Sequence, residues 1–542
     1  MFEIGRDIFK HGFRGGVTNV AGRRRMRVVH FLFSLAFLVF AGRTLQLGIQ
    51  GTDRSRLRAT DGVWTVSRAD IVDRNGDILA KNIMSGHIIL RPNAVRDPDA
   101  VATAIHQAMP YEYSLADALK LVNSSRKFMY LKKYASDGQR DIVKNAKQQG
   151  LEIEPVQTRR YPKRRLFAHA VGFVGNDGHG LEGAERTYDE YLQENTDPLR
   201  LSLDSRVQNV FYEQLAAAVQ KYNARGAMGL LMNSRTGEMV AMVSLPDYDP
   251  ERREADPVEN RTFMPMRGVF EMGSVFKIFN TAMAMENGIT KQYYVAEPFK
   301  IYDKNGRLAC KPIDDVRSFK PAHPYFTIEE IMVHSSNRGS AQIALDLPSG
   351  AQKEFFHRIH LDEPLELEFG RTEHPLMPRQ WGQVERATVS FGHGIAVTPM
   401  HLMLAVNAMT NGGIYIYPTL QKRTVGAVRG QRVLSEDVSA KLRDLMLRVS
   451  EETSGKRARV AGIQIAGKTG TAEKRVNGKI DRKRNLTVFA GVFPANAPQY
   501  TLLVVMDEPH GLPETFGLRT AAWNVVPTAG KILDNILPLL FE

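Results

Sequence analysis

The N-terminus opens with a polar stretch and then one long apolar run. Arg23, Arg24, Arg25 and Arg27 stand just before the run from Val28 to Gly42, which carries no charge. Arg43 interrupts the run, and Leu45, Leu47 and Ile49 continue its apolar character. The uninterrupted part is short against the roughly 20 residues that cross a bilayer. An Arg43 side chain that snorkels to the interface extends the usable span to about Ile49. Basic residues ahead of a span hold that end in the cytoplasm. The pattern therefore predicts a cytoplasmic tail over 1–26 and a single transmembrane anchor over 27–49. The rest of the chain is then outside the cytoplasm. A cleaved signal peptide has a similar start, but no small-x-small cleavage site with a polar mature start follows it. A buried core helix is the remaining reading of the run.

Beyond a polar linker from Gly51 to Arg58, His87 to Leu90 reads as a strand. Leu115 to Val122 and Arg140 to Gln149 are compatible with helices. The texture changes near Asp204. Val207 to Val219 reads as an amphipathic helix. From Gly226 to Val243 two apolar runs flank Ser-Arg-Thr-Gly, which predicts two strands with the turn at Gly237. Ser274 to Glu286 and Met400 to Met409 read as apolar helices, and Asn287-Gly288 closes the first as a C-cap would. Leu486 to Val492 and Tyr500 to Met506 read as strands. These shifts predict one domain over 50–203 and another over 204–542. No tandem repeat or low-complexity tract interrupts them.

A chain of 542 residues exceeds what one hydrophobic core supports, in keeping with several domains. With 43% hydrophobic and 24% charged residues it is neither disordered nor fibrous. The net charge of +13 suits nucleic acid, an anionic membrane surface or an acidic polymer. The predicted anchor removes nucleic acid from that set. Cys310 is the only cysteine, so neither an internal disulfide nor a cysteine zinc cluster can form. Neither Cys/His clusters nor paired carboxylates occur at ligand spacing, so no metal and no cofactor is expected.

Candidate chemistry begins at Ser274-Val275-Phe276-Lys277. Ser and Lys three apart on a helix share a face. At a helix start the Ser274 hydroxyl would meet outward backbone N–H groups that favour developing negative charge. Lys277 can take the serine proton only if neutral near pH 7, which needs a fall of roughly three pKa units, about 4 kcal/mol of environmental bias. An apolar helix supplies the desolvation for it. Ser124 to Lys127 repeats the pattern, but Arg126 and Tyr130-Leu131-Lys132-Lys133 make it a solvated basic face. Ser335-Ser336-Asn337 follows an apolar, helix-like stretch. Lys468-Thr469-Gly470-Thr471 follows strand-like Ile463 to Ile465. There Gly470 would let a substrate backbone approach, and Lys468, Thr469 and Thr471 offer a cation and hydroxyls to a carboxylate. Each motif alone is common; the three in this order are specific.

In that order the motifs resemble the penicillin-recognising serine enzymes. The surrounding residues narrow the resemblance to class B penicillin-binding proteins, peptidoglycan D,D-transpeptidases. Arg68 with Ile71-Val72-Asp73-Arg74-Asn75-Gly76, Arg160-Tyr161-Pro162, Gly180-Leu181-Glu182-Gly183 with Glu185, Thr236-Gly237-Glu238 and Phe391-Gly392-His393-Gly394 match further stretches of that family. Met272, Phe270 and Val275 depart from its usual proline, tyrosine and small hydroxyl residue. The resemblance implies an α+β fold. A transmembrane helix and an elongated pedestal would precede a transpeptidase domain with a central antiparallel sheet flanked by helices. It implies that Ser274 is acylated by a stem peptide, that Lys277 takes its proton, and that Ser335 and Asn337 relay a proton and bind peptide. Lys468, Thr469, Gly470 and Thr471 would receive the terminal carboxylate. Stem peptides and lipid-linked precursors are the implied substrates, and β-lactams covalent inhibitors. A multi-spanning glycosyltransferase and other division membrane proteins are the implied partners, at the bacterial inner membrane. The Glu271-x-Gly273-Ser274 context looks closer to the division-specific branch than to the elongation branch. A membrane-anchored β-lactamase is a poorer match, because no Glu-x-x-Leu-Asn sequence is present; a β-lactam sensor, or a scaffold whose enzyme domain is inert, is the other alternative. His334 and His393 read as structural, and the basic run from Arg159 to Arg165 as a solvated face.

Overall fold

The computed structural model describes residues 32–41, 58–60, 63–65, 68–316, 320–423, 428, 430–476 and 479–541. The chain up to Val66 forms one unit and the chain from Ser67 a second. In the first, residues 32–41 are helical and expose Phe33, Phe37 and Phe40. Arg58–Thr60 pairs antiparallel with Val63–Thr65. Among the described residues no helix is long and apolar enough to cross a membrane. Much of the anchor expected over 27–49 lies outside the described residues.

The second unit begins with a mixed sheet. Its strands are β1 (Ile71–Val72), β2 (Ile78–Leu90), β3 (Met129–Lys132), β4 (Leu151–Arg160) and β5 (Leu199–Arg200). They run in the order β3-β2-β1-β5, with β4 also paired to β2. Helices α1 (Pro98–Ala108), α2 (Leu115–Val122) and α3 (Asp137–Ala146) bury Val101, Ile105, Val122 and Val143 with Ile88 and Leu90 of the sheet. The expected helix at Arg140 to Gln149 starts earlier and stops sooner. Ser136 and Gln139 form a reciprocal capping box, and Lys147 in the left-handed region ends the helix. The expected four-residue strand at His87 extends back to Ile78, where Lys81, Asn82, Ser85 and Gly86 interrupt the apolar signal.

The chain from Asp204 onward builds a second sheet. Asp204 caps α4 (Ser205–Lys221) through its side chain. Strands β6 (Gly226–Asn233) and β7 (Met239–Leu245) flank the turn at Gly237, whose φ is +74°. Together with β8 (Ala466–Val476), β9 (Lys479–Phe493) and β10 (Tyr500–Asp507) they form an antiparallel sheet in the order β8-β9-β10-β6-β7. Alternate residues face two different cores. Met228, Leu230, Met232, Val488 and Val505 pack towards the helices that contain Phe279, Met332, Leu404 and Met446. Ala227, Leu231, Phe489 and Val504 pack against Phe211 and Leu215 of α4 and Val526, Ile532 and Leu533 of the C-terminal helix Val525–Phe541. Both faces are buried, so β6 and β10 read as unbroken apolar runs. The three-layer arrangement leaves β8 at an edge.

The basic run from Arg159 to Arg165 is only in part a solvated face: Arg159 is buried, while Arg160, Lys163, Arg164 and Arg165 stay partly exposed and are ion-paired. Arg159 and Arg68 grip the two carboxylate oxygens of the fully buried Glu185, at 2.7 and 2.6 Å. Arg160 pairs with Glu251 at 2.9 Å, Arg164 with Asp249 at 3.2 Å, and Arg165 with Asp247 and Asp256 at 3.0 and 2.8 Å. The cations lie in the first sheet's segment and most of the anions in the second's. Asp73 adds a further tie by accepting from the Ser205 backbone N–H at 2.9 Å. Arg68, Arg74, Arg160, Glu185 and Glu238, all within the matched stretches outside the three motifs, therefore take part in an ion-paired joint. A buried pair of this kind is costly to break from one side.

Candidate active site

Ser274 lies in a short 3₁₀ turn, Gly273–Phe276, that runs directly into the helix α5 (Lys277–Glu286). The serine is thus at a helix start, as the spacing predicts. The turn is tight because Gly273 has φ +56°, and a Cβ there would lie 2.5 Å from the Thr471 carbonyl oxygen. Val275 and Met272 are fully buried behind the turn. A Cβ on Gly470 would lie 2.3 Å from the Met272 carbonyl oxygen and 2.9 Å from Val275 Cγ2. Gly470 therefore also makes room for the protein's own backbone, a role that the sequence pattern does not express.

The Lys277 side chain is 1% exposed. Its Nζ lies 2.8 Å from Ser274 Oγ, 2.8 Å from the Ser335 carbonyl oxygen and 2.7 Å from Asn337 Oδ1. Burial and the nearby Lys468 charge hold the Lys277 amine well below the ordinary lysine range, while Asp315 draws it back upward. A neutral amine has two N–H donors and one lone pair. The two acceptors take the donors, and the lone pair remains for the Ser274 O–H.

Ser335 ends the helix α6 (Ile328–His334) in the left-handed region, with φ 57° and ψ 40°. That conformation turns its carbonyl and hydroxyl back to the lysines. Ser336 caps the following helix α7 (Asn337–Asp346) by accepting from Gly339 N–H at 3.1 Å. Lys468 sits inside β8, 1% exposed, and its Nζ donates to Ser335 Oγ at 3.0 Å. Burial pulls its pKa down to about 7. The strand expected at Ile463 to Ile465 starts instead at Ala466, and Ile463 only bridges Val460. Gly467 and Gly470 weaken the strand signal there. Gly467 is required because a Cβ would lie 2.6 Å from the Phe489 ring. Thr471 Oγ1 accepts from Ala521 N–H at 3.1 Å, which ties the strand to the segment before the C-terminal helix. The structure thus brings Ser274, Lys277, Ser335, Asn337 and Lys468 into direct contact. Thr469, Gly470 and Thr471 continue along the adjoining edge.

One residue outside every motif organises the site. Asp315 is buried, accepts from Ser336 Oγ at 2.9 Å and from the Arg338 N–H at 3.2 Å, and also accepts from the Asn337 N–H. Its neighbour Asp314 accepts from Arg338 Nε at 2.9 Å. Asp315 comes from a loop, and no spacing rule connects it to the triplet Ser335-Ser336-Asn337. The decoy at Ser124 to Lys127 forms an irregular loop with exposed Arg126 and Lys127, as expected.

Similarity to known proteins follows the same lines. Residues 227–529 match the penicillin binding protein transpeptidase domain family, and residues 64–198 match the penicillin-binding protein dimerisation domain. The "Probable peptidoglycan D,D-transpeptidase FtsI" of Caulobacter vibrioides is 32% identical over 491 residues, covering 88% of this chain and 81% of that protein. The peptidoglycan D,D-transpeptidase FtsI of Escherichia coli is 28% identical, covering 93% of this chain and 90% of its own. A peptidoglycan synthetase structure from Bifidobacterium adolescentis shares the fold with a TM-score of 0.63 at 18% identity, covering 88% of this chain and 95% of that one. The chain belongs to the class B penicillin-binding proteins, the transpeptidase family whose three motifs meet at Ser274.

Proposed function

We propose that this chain is a peptidoglycan D,D-transpeptidase that works through a Ser274 acyl-enzyme. The carrying observation is the 2.8 Å contact between Ser274 Oγ and the buried Lys277 Nζ. Neutral Lys277 takes the hydroxyl proton as Oγ attacks the penultimate D-alanine carbonyl of a stem peptide. The backbone N–H groups of Ser274 and Thr471 hold the oxyanion, a contribution of roughly 3–4 kcal/mol per donor. The proton passes to the departing D-alanine amine, with Ser335 and Asn337 fixing the relay. Lys468, Thr469 and Thr471 receive the terminal carboxylate, and Gly470 keeps the strand against the serine turn. An amine of a neighbouring stem peptide then takes the acyl group and closes the cross-link. β-Lactams acylate the same serine.

The role is septal. Relatives named FtsI support this reading, at 32% and 28% identity. A single anchor over 27–49, with residues 1–26 cytoplasmic, places the catalytic unit outside the inner membrane. The basic start and the apolar side chains of 32–41 support it. Residues 50–203 serve as a pedestal and 204–542 as the enzyme. A multi-spanning glycosyltransferase that polymerises lipid-linked precursors is the natural partner, together with other division membrane proteins. The test is labelling of membranes with a fluorescent penicillin. The wild-type band is expected to vanish in Ser274→Ala, and a band that persists overturns the site. Rapid hydrolysis of the label by the wild type would favour a β-lactamase instead.

A further inference from the structure

The cleft is sorted by charge. Lys468 and the threonines of β8 form a carboxylate-receiving edge, while a different set of groups gathers around His393. The turn from Ser390 to Gly394 packs on the serine turn so closely that a Cβ on Gly392 would lie 2.2 Å from the Gly273 carbonyl oxygen. That contact puts His393 next to the nucleophile's own turn. The Gly394 N–H donates to Glu271 Oε1 at 3.1 Å, which ties Glu271, three residues before Ser274, to the same turn. Glu473 lies two residues beyond Thr471 on β8. The charges that act on the His393 ring are those of Glu271, Lys277 and Glu473. The ring packs on Phe391 with centroids 5.3 Å apart. Its Nδ1 is shielded from solvent and makes no hydrogen bond of good geometry among the described residues, with the Phe391 backbone close enough to favour the protonated ring. A buried ring nitrogen left without a partner costs free energy, and such groups call for an explanation.

We infer that His393 is a catalytic base for the second half-reaction, taking a proton from the acceptor's primary ammonium group as Glu271 and Glu473 attract it to the acyl-enzyme. The inference rests on the transpeptidase reading above. An amine is protonated at neutral pH and cannot attack until one proton leaves. Burial holds the imidazole below its ordinary range and Lys277 adds to this; Glu271, a backbone hydrogen bond at Phe391 and Glu473 oppose it. The ring is therefore neutral and ready to accept. The ammonium gives one proton to His393, and the freed lone pair forms the N–C bond to the acyl carbon. As the C–Oγ bond breaks, a second amine proton passes through Lys277 to Ser274 Oγ. The third stays on the new amide, and the imidazolium releases its proton to solvent. The two glutamates also repel a carboxylate, which steers the donor strand to the Lys468 edge.

The test is the partition of the acyl-enzyme formed from a D-alanyl thioester, with D-alaninamide as the amine acceptor. In His393→Gln the ratio of aminolysis to hydrolysis is expected to fall at least tenfold at pH 7. It should recover as pH rises, since bulk base then supplies the free amine. Glu473→Gln should raise the acceptor KM several-fold with a smaller change in maximal aminolysis, and serves if the histidine variant does not fold. A wild-type partition ratio and pH slope in His393→Gln, or an unchanged acceptor KM in Glu473→Gln, overturns the assignment. Failure of the wild type to form any acyl-enzyme would instead strike the transpeptidase reading itself.

Discussion

Replacing Asp315 by asparagine tests how the second motif is held. Ser335 occupies the left-handed region, which costs an L-residue about 1–2 kcal/mol. The turn is kept by Asp315, which accepts from Ser336 Oγ, from the Asn337 N–H and from the Arg338 N–H. Hydrogen bonds to a charged group contribute about 1.5–3 kcal/mol each. Asparagine keeps one acceptor oxygen at nearly the same place, so the net loss is about one charge-assisted bond. A loss of roughly 2 kcal/mol at the reacting geometry lowers acylation by about 30-fold. There is a second, independent consequence. The Asp315 charge raises the Lys277 pKa against burial and Lys468. Its removal lowers that pKa further, so the acid limb of the acylation rate moves to lower pH. The assay is the second-order rate of acylation by a fluorescent penicillin from pH 5 to 9, with thermal unfolding in parallel. A folded variant with the wild-type rate and an unmoved acid limb would refute the reasoning.

Three further outcomes follow from the same geometry. Glu185→Ala leaves Arg159 buried without its carboxylate and Arg68 with Asp189 alone, and should lower stability by about 3–5 kcal/mol in guanidinium chloride unfolding; a change under 1 kcal/mol would show that the joint is not held there. Gly470→Ala forces a Cβ to 2.3 Å from the Met272 carbonyl oxygen, so penicillin acylation should fall more than tenfold while the far-UV spectrum is kept. Lys468 titrates at about 7 and must be protonated to hold a carboxylate, so kcat/KM for a carboxylate-bearing donor should fall as pH rises above about 7; a methyl-ester analogue should lack that limb, and identical profiles for the two would remove Lys468 from carboxylate binding.

The sequence carries the site more fully than it carries the scaffold around it. Ser274 and Lys277 sit on one helical turn, and Ser335 to Asn337 on one helix junction, so short-range spacing expresses both. Lys468 joins them only through the sheet, and its neighbours Gly467 and Gly470 hide the strand that delivers it. Both glycines exist because side chains or backbone of other elements stand within 3 Å of where a Cβ would be. Such contacts are tertiary and leave no periodicity. Asp315 escapes for the same reason. The run Arg159 to Arg165 misleads in part, because charge density suggests a solvated surface and does not show the ion pairs or the burial of Arg159. The compensating carboxylates are scattered over Glu185, Asp247, Asp249, Glu251 and Asp256.

The two buried lysines are best understood together. Each is 1% exposed, and Ser335 Oγ lies 3.2 Å from one and 3.0 Å from the other. Two full positive charges at that separation in a desolvated site would repel strongly. Protonation of one therefore favours neutrality of the other. A substrate carboxylate at the Lys468 edge stabilises the charge on Lys468. That charge is among the causes holding the Lys277 amine down. Binding of the anionic end of the substrate thus deepens the neutrality of the base that must activate Ser274. The acid limb set by Lys277 should accordingly lie lower in the presence of a carboxylate ligand than without one. Lys468 then acts on the reaction as well as on recognition, and a neutral replacement should lose both carboxylate selectivity and part of the acylation rate.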